Sequence, residues 1–296
     1  MTSSPGFGIK MIGDRINPGF KSTKLLLDNE DLAGVQALAV KQVDAGASAL
    51  DVTIGPRGST DFVFLATVVR AIQETVSVPL CFDSPSAQVQ EVCLKTYDRA
   101  RAGGKPAIIN SITEQRWDLM NFHKAFGPFK VIVMASERME DGTPKANKAA
   151  DEIASTAKRA ALRLRKDYGM ALDDIFIDVS VSAVVADTTG LHRATLEAVR
   201  MLHTDPQLQG LHIMGGLTNI GQQLPPKAAD GSDLKLSLEC AFLTLAVPLG
   251  FDTVMCTPWR NYHPLPDNNY VLAAYKNILE QTGSNALRAV RKLYRA

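Results

Sequence analysis

The sequence predicts a single (β/α)8 barrel, an α/β fold in which helices surround a closed parallel sheet. Eight short apolar runs alternate with eight segments of helical periodicity along the 296 residues, and such alternation is typical of parallel α/β folds. A doubly wound open sheet is the alternative, but no GxGxxG fingerprint follows the first apolar run. No low-complexity segment or linker interrupts the pattern, so one domain is expected over 1–296.

The apolar runs define the predicted strands in chain order. They lie at 8–12, 47–52, 78–82, 107–109, 130–134, 175–177, 211–214 and 252–256. The periodic segments between them predict helices at 31–46, 61–74, 87–97, 114–126, 148–168, 191–202, 234–247 and from about 268. Asp31 is a predicted N-cap, and Gly46 and Gly169 are predicted helix ends, because these residue types favour those positions. The charged segment 137–144 and the segment 224–233 are expected to be loops.

Composition narrows the possible classes of protein. The formal net charge is +1, so the charge balance does not favour binding to nucleic acid or to an anionic membrane. No apolar run reaches the roughly 18 residues that a membrane span needs, and the polar start MTSSPGFG is unlike a signal peptide, so a cytoplasmic protein is expected. The cysteines form no CxxC pair and are expected to be small buried hydrophobic side chains, not zinc ligands.

Polar side chains recur where the predicted strands end, which in a barrel is where the active site lies. They are Asp14, Arg15, Asn17, Asp51, Thr53, Asp83, Asn110, Ser136, Asp178 and Asn219. Carboxylates and amides dominate this set, and Arg15 is the only cation expected at the barrel mouth. A carboxylate accepts side by side from an amino group and an adjacent ring N–H, so a flat heterocycle rich in donors is the predicted ligand. No soft-metal site is expected, while an all-oxygen Mg²⁺ site stays open.

The segment 211–223, LHIMGGLTNIGQQ, is the part around which we organise the site. It reads as a buried strand followed by two glycines and then Asn219, an uncharged group that both donates and accepts. Such a group suits a substrate nitrogen whose protonation changes during reaction. The alternative is a loop-capping asparagine among turn-forming glycines. No GxSxG elbow or Cys/His pair is present, so a covalent enzyme intermediate is disfavoured.

Six ordered motifs carry a resemblance to a known family: MIGDRIN, AGASALDVTIGP, LCFDS, AIINSIT, DDIFIDVS and GGLTNIGQQ. They resemble the pterin-binding methyltransferases, and more closely the methyltetrahydrofolate:corrinoid protein methyltransferases, which are relatives of the folate-binding module of cobalamin-dependent methionine synthase. The likeness extends from about Ile9 to the last helix. It implies a TIM barrel of the pterin-binding type.

The resemblance also implies roles for eight residues of this sequence. Asn219 matches the asparagine that hydrogen-bonds N5 of the pterin, and Asn219 and Asp178 are the expected catalytic residues. The expected pterin-binding residues are Asp83, Asn110, Asp178, Asn219, Asp51, Gln222, Arg15 and Asn17, the last two with a partly structural role. For Asp14, Asp51 and Thr53, organisation of a loop is an equal alternative to ligand contact.

Some positions depart from the family pattern. Thr53 stands where the family usually has Asn, Val179 follows Asp178 where the family has Pro, and Asp14 stands where Glu is common. The segment 224–236 is longer than usual, which suits a lid or a docking loop. These departures leave the subfamily, the partner and the direction of reaction open.

By resemblance, the activity is methyl transfer between N5 of tetrahydrofolate and the cobalt of a corrinoid. Tetrahydrofolate and 5-methyltetrahydrofolate are the expected substrates. No DxHxxG cobalamin-binding signature is present, so the cobalamin is expected on a separate corrinoid protein. Transfer from methylcobalamin to tetrahydrofolate, in catabolism of a methylated compound, is the favoured direction, and a homodimer is expected. A dihydropteroate synthase-like enzyme, a non-catalytic folate-binding subunit of a corrinoid complex and a barrel for an unrelated substrate are the alternatives.

Overall fold

Eight parallel strands form a closed barrel in the computed structural model, which describes residues 6–295. Two further strands form a separate hairpin. In chain order the strands are β1 (Lys10–Ile16), β2 (Ala49–Val52), β3 (Leu80–Asp83), β4 (Ile108–Ile112), β5 (Lys130–Met134), β6 (Glu137–Glu140), β7 (Thr143–Ala146), β8 (Ile175–Asp178), β9 (His212–Gly216) and β10 (Thr253–Cys256). Each barrel strand pairs in parallel with the next, and β10 pairs with β1 to close the sheet. The predicted (β/α)8 barrel is confirmed.

Helices connect successive barrel strands on the outside. They are α1 (Lys21–Asp28), α2 (Leu32–Asp44), α3 (Phe62–Gln73), α4 (Ala87–Thr96), α5 (Asn121–Phe126), α6 (Ala150–Tyr168), α7 (Leu191–Thr204), α8 (Leu234–Ala246), α9 (Tyr270–Leu279) and α10 (Gly283–Lys292). Asp31 and Asp61 accept the backbone N–H groups of Gly34 and Phe64, both at 2.9 Å, which begins α2 and α3. The left-handed Gly169, with φ 66°, ends α6.

The barrel interior contains one apolar layer contributed by every strand. Its buried members are Ile12, Ala49, Cys81, Ile108, Ile132, Phe176 and Met214, with the partly buried Met255 packed against them. Side chains alternate in direction along a strand, so the residues two positions later in each strand also point inward. Those positions lie at the carboxyl end of the barrel and form the floor of its mouth.

Several local predictions were wrong. The segment 137–144 was expected to be a loop, but it contributes to the β6–β7 hairpin, whose turn holds Asp141 and Gly142 at φ 51° and 75°. An Asp-Gly pair with two positive φ angles is a typical hairpin turn. The helix expected at 114–126 is reduced to a 3₁₀ turn, Trp117–Met120, and the short α5. Helix α1 was not predicted, and β1 continues through Asp14 and Arg15.

Two other expectations concern the chain as a whole. Among residues 6–295, no helix combines the length and the apolar character required to cross a membrane. All four cysteines, Cys81, Cys93, Cys240 and Cys256, are buried and free of disulfide bonds, as expected. A single domain over 1–296 stays a prediction, since residues 1–5 and 296 lie outside the described part of the chain.

Candidate active site

Inward-facing polar residues form a ring at the mouth of the barrel. Continuing each strand two positions beyond the interior apolar layer gives, in chain order, Asp14, Asp51, Asp83, Asn110, Met134, Asp178, Gly216 and Thr257. Strand register places Asp83 beside Asn110, and Asp178 between Met134 and Met214. We call the six polar members, Asp14, Asp51, Asp83, Asn110, Asp178 and Thr257, the polar ring. Four of the predicted site residues therefore lie together on the floor of one mouth.

Asp51, Asp83 and Asn110 form one side of the polar ring. Asn110 Nδ2 donates to Asp51 Oδ1 at 3.2 Å, which joins residues that are 59 positions apart in the chain. Asp51 is 1% exposed. Burial raises the pKa of Asp51 well above its usual range, and the negative charge of Asp83 raises it further. Burial also raises the pKa of Asp83, which the positive charge of Arg116 partly opposes. A ligand that donates hydrogen bonds to these carboxylates would therefore stabilise their ionised form.

Asp178 lies across the mouth, at the end of β8. Its Oδ1 accepts the backbone N–H of Ser180 at 2.7 Å, so Oδ2 remains for a ligand. Burial raises the pKa of Asp178 to about 6, with a smaller contribution from the charge of Asp83. A carboxyl that titrates near 6 is mostly ionised at neutral pH, and a ligand that donates a hydrogen bond to it would stabilise the ionised form. Such shifted pKa values are common in binding sites.

Asp14 connects three strand ends below the mouth. It is 5% exposed and accepts from Thr218 Oγ1 at 3.0 Å and from Thr257 Oγ1 at 3.2 Å. Burial raises its pKa, and the two hydroxyl donors oppose this effect. Because Thr218 precedes Asn219, this buried carboxyl positions the turn that carries Asn219.

Asn219 stands at the lip of the mouth, in the 3₁₀ turn Leu217–Asn219, with an exposed side chain. Its Oδ1 accepts from Gln222 Nε2 at 2.7 Å. Among residues 6–295 no acceptor is found for Asn219 Nδ2, so this amide N–H group is left for a ligand. The glycines before it are closely approached by side chains: a Cβ on Gly216 would lie 2.9 Å from Asn219 Nδ2, and one on Gly215 would lie 2.7 Å from Val181 Cγ2, so a larger residue would displace them.

Arg15 and Asn17 are not members of the polar ring. The Arg15 guanidinium stacks on Phe20 at 3.7 Å, and the Arg15 backbone N–H donates to Gln42 Oε1 at 2.8 Å. Asn17 Oδ1 accepts from Gly19 N at 2.8 Å within its own turn. Contact of these two residues with a ligand stays a prediction, and their visible role is to shape the rim.

The expectation that Arg15 is the only cation at the mouth was wrong. Arg116 is close enough to lower the pKa of Asp83 and donates to Ser111 Oγ at 3.2 Å. Arg260, in the loop after β10, binds the buried Glu239 at 2.8 Å. Burial lowers the pKa of Arg15, and the charge of Arg260 lowers it further. Both arginines lie in loops beyond the strand ends, where strand patterns carry no information.

Sequence reasoning also missed a buried glutamine that organises the floor. Gln90 of α4 is 0% exposed, and its Nε2 lies within hydrogen-bond distance of the carbonyls of Phe82 (2.8 Å), Ser84 (2.9 Å) and Asn110 (3.2 Å). It therefore ties together the ends of β3 and β4, which carry Asp83 and Asn110. An amide on the inner face of a predicted amphipathic helix was the available signal. As for metals, residues 6–295 contain no cluster of three or more His, Cys, Asp or Glu suited to an ion.

The comparison with known families agrees with this barrel fold. Residues 16–256 match the model of the pterin-binding enzyme family. The chain belongs to this family, and the resemblance stated from the sequence motifs is confirmed.

The chain is also similar to one characterised protein and to two solved structures. The chain is 24% identical over 254 residues, 84% of either chain, to a methylcorrinoid:tetrahydrofolate methyltransferase of Eubacterium limosum. A dihydropteroate synthase of Coxiella burnetii in complex with pteroic acid superposes with a TM-score of 0.57 at 19% identity, covering 86% of this chain and 89% of that one. The dihydropteroate synthase of Stenotrophomonas maltophilia gives 0.58 at 16%, covering 91% and 92%. These structures support the fold.

Proposed function

We propose that the protein transfers a methyl group from the cobalt of a methylated corrinoid, carried by a partner protein, to N5 of tetrahydrofolate. The observation that carries the proposal is the arrangement of Asp51, Asp83, Asn110 and Asp178 on the floor of the mouth, with Asn219 at its lip. The match to a methylcorrinoid:tetrahydrofolate methyltransferase supports this direction of transfer.

The floor suits the pterin ring because the ring presents an amino group and an adjacent ring N–H along one edge. Asp178 Oδ2 and the carboxyl groups of Asp51 and Asp83 accept such donors, and Asn110 orients Asp51. Burial has already raised the pKa of all three carboxyls. A ligand that supplies donors restores the interactions that water provided, whereas an analogue without them leaves buried carboxylates unpaired.

Asn219 acts on N5. Its Oδ1 accepts from Gln222 Nε2 with one lone pair, and the second lone pair is available to accept from the N5–H group of tetrahydrofolate. The N5 lone pair is then free to face the incoming methyl group. After transfer N5 carries no proton and Asn219 Nδ2 can donate to its lone pair, so this neutral residue serves both states of the nitrogen. Gln222 is the positioning residue that holds the amide, and its effect on catalysis passes through Asn219.

The partner's corrinoid supplies the methyl group. The N5–CH₃ bond forms from the nitrogen lone pair while the Co–CH₃ bond breaks and leaves its electron pair on cobalt. The N5 proton departs to solvent at the lip, where Asn219 is exposed. The contribution of the protein is to orient N5 towards the incoming methyl group and to stabilise the charge that develops on this nitrogen.

The segment 224–236 supports a docking role better than a lid. Ala229 N donates to the carbonyl of Leu293 at 2.9 Å, Ala228 N donates to the carbonyl of Ser232 at 3.0 Å, and Leu224 and Ala228 are buried. A segment fixed in this way to the residue after α10 offers a rigid surface beside the mouth, which suits contact with a corrinoid protein. A homodimer, a cytoplasmic location and a role in catabolism of a methylated compound belong to the same proposal.

A dihydropteroate synthase-like activity is the second candidate, favoured by the superposed structures. That reaction needs cations for a pyrophosphate and a carboxylate at the ends of the last two barrel strands. Residues 215–223 contain no Lys or Arg. Arg260 follows β10, but its guanidinium is bound by Glu239 at 2.8 Å and lies 3.4 Å from Asp233. Because Arg260 is already engaged by these two acidic side chains, this is the weaker candidate, and a folate-binding subunit without catalysis is the remaining one.

Anaerobic calorimetry followed by a transfer assay tests the proposal. Tetrahydrofolate and 5-methyltetrahydrofolate are titrated first, and then methylcobalamin is mixed with tetrahydrofolate while 5-methyltetrahydrofolate is measured by chromatography. The proposal is supported if the parent protein binds folate and transfers the methyl group, and if Asn219→Ala slows the transfer without weakening folate binding. Binding without transfer to or from free or protein-bound corrinoid supports the non-catalytic subunit, and turnover of a pterin pyrophosphate with aminobenzoate supports the second candidate.

A further inference from the structure

A second concave site lies at the opposite end of the barrel from the polar ring. This cavity has a volume of about 400 Å³ and is entered between the amino ends of the strands, where Lys10, Lys130 and Thr253 are the first residues of β1, β5 and β10. Its size falls within the roughly 300–1,000 Å³ of small-molecule sites in proteins. We call it the lower cavity.

The inner wall of the lower cavity is apolar. It includes Ile12, Ala49, Ile108 and Phe176, all of the interior layer and 2–5% exposed. Ala47 and Ala49 are the small side chains of the wall, and they leave on the β2 side the space that larger residues would fill. Close packing is normal inside a barrel, so an open space of this volume with a mainly apolar inner wall offers a surface on which an apolar group can pack.

The rim of the lower cavity is cationic. Lys10, Lys105 and Lys130 line it, and no Asp or Glu does. Lys130 is balanced outside the cavity by Asp173 at 2.9 Å and Asp174 at 3.2 Å. Within 6–295 the other two lysines form no ion pair: Lys10 Nζ lies 2.9 Å from His212 Nε2, whose ring also contacts Asp173 at 3.1 Å and Asp252 at 2.6 Å, and no partner of Lys105 Nζ is found.

We propose that the lower cavity binds a small organic anion whose apolar body packs against Ala49 and Phe176 and whose acid group faces Lys10 and Lys105. An apolar wall supplies most of the affinity of a small ligand, and a few polar groups at the rim fix its orientation. Lysines without a direct ion pair select an acid over a neutral compound of the same shape. The site lies at the other end of the barrel from the folate site and does not depend on methyl transfer.

The test uses the full chain and the fluorescent probe 8-anilinonaphthalene-1-sulfonate, an apolar body with one acid group. A saturable rise in fluorescence that persists in excess tetrahydrofolate is expected, because folate occupies the other end of the barrel. Ala49→Leu, which fills the cavity, lowers the affinity at least tenfold, and so does Lys10→Gln combined with Lys105→Gln. Lys166→Gln, on the exposed face of α6, is the matched control and leaves it unchanged.

Two further measurements keep the result interpretable. N-phenyl-1-naphthylamine, which lacks the acid group, binds at least tenfold more weakly, and Val78→Phe fills the cavity from its partly exposed wall should Ala49→Leu fail to fold. The proposed site would be refuted if the cavity-filling variants fold but leave the affinity for the probe unchanged. It would also be refuted if tetrahydrofolate displaces the probe. Equal affinity for the acid and the neutral compound would overturn its preference for an anion.

Discussion

The Asp178→Asn variant tests the site through two effects of opposite sign, a gain in stability and a loss of binding. Burial raises the pKa of Asp178 from 3.8 to about 6, so the folded protein pays for holding the ionised form. A difference of this size corresponds to at most about 3 kcal/mol, at 1.36 kcal/mol for each pH unit. Asparagine carries no charge and keeps the oxygen that accepts from Ser180 N.

The pH dependence of this gain follows from the direction of the pKa change. A carboxyl whose pKa is raised on folding binds its proton more tightly in the folded protein, so its cost is absent below about pH 4, develops between about 4 and 6, and is complete above 6. Asp178→Asn should therefore be more stable than the parent at pH 7.5, with a melting temperature higher by up to about 5 °C. The two proteins should converge at pH 4.

Folate binding by Asp178→Asn should change in the other direction. The variant replaces an acceptor for the pterin donors with an amide whose NH₂ group faces them, and loss of a hydrogen bond to a charged group costs about 1.5–3 kcal/mol. Calorimetry should show tetrahydrofolate affinity reduced about 10- to 100-fold.

A surface variant serves as the control for Asp178→Asn, and two results would contradict the predictions. Asp205→Asn removes a carboxyl whose pKa is lowered by Lys158 at 2.6 Å, so it should destabilise the protein at pH 7.5 and leave binding unchanged. Asp178→Asn that binds tetrahydrofolate like the parent would refute the assignment of Asp178 to the pterin site. A less stable Asp178→Asn at pH 7.5 would refute the argument from burial.

The remaining predictions concern Asn219, the pH profile and a helix cap. Asn219→Ala should slow methyl transfer about 10²-fold with little effect on folate affinity. Gln222→Ala should slow it less than tenfold because the Asn219 amide remains. Equal rates for both variants and the parent would contradict this assignment. Tetrahydrofolate affinity should fall as the pH drops through 6, where Asp178 becomes protonated, and Asp178→Asn should flatten the profile measured by calorimetry. Asp31→Ala should cost about 1 kcal/mol in urea unfolding because α2 loses its cap, whereas Asp31→Ser should cost little.

Local patterns were sufficient to predict the barrel and the floor of its mouth. Strand and helix periods are written in consecutive residues, and a polar residue that ends an apolar strand must lie at the carboxyl end of a parallel sheet. Asp51, Asp83, Asn110 and Asp178 were predicted from this rule and lie together in the polar ring. The β6–β7 hairpin was not predicted, because the charged residues around its turn indicated a loop. The Asp-Gly pair at the turn was the available signal for a hairpin.

Tertiary structure alone decided the properties that depend on residues distant in the chain. The hydrogen bond from Asn110 to Asp51 spans 59 positions, and the raised pKa of Asp178 results from burial beside Asp83. Arg116 and Arg260 reach the mouth from loops, whose paths no periodic pattern records. The lower cavity brings the small side chains of Ala47 and Ala49 together with lysines from distant parts of the chain. The sequence by itself determined which residue types stand at each strand end, whereas their charge state and the space around them arose only when the barrel closed, because burial and proximity are properties of the assembled fold.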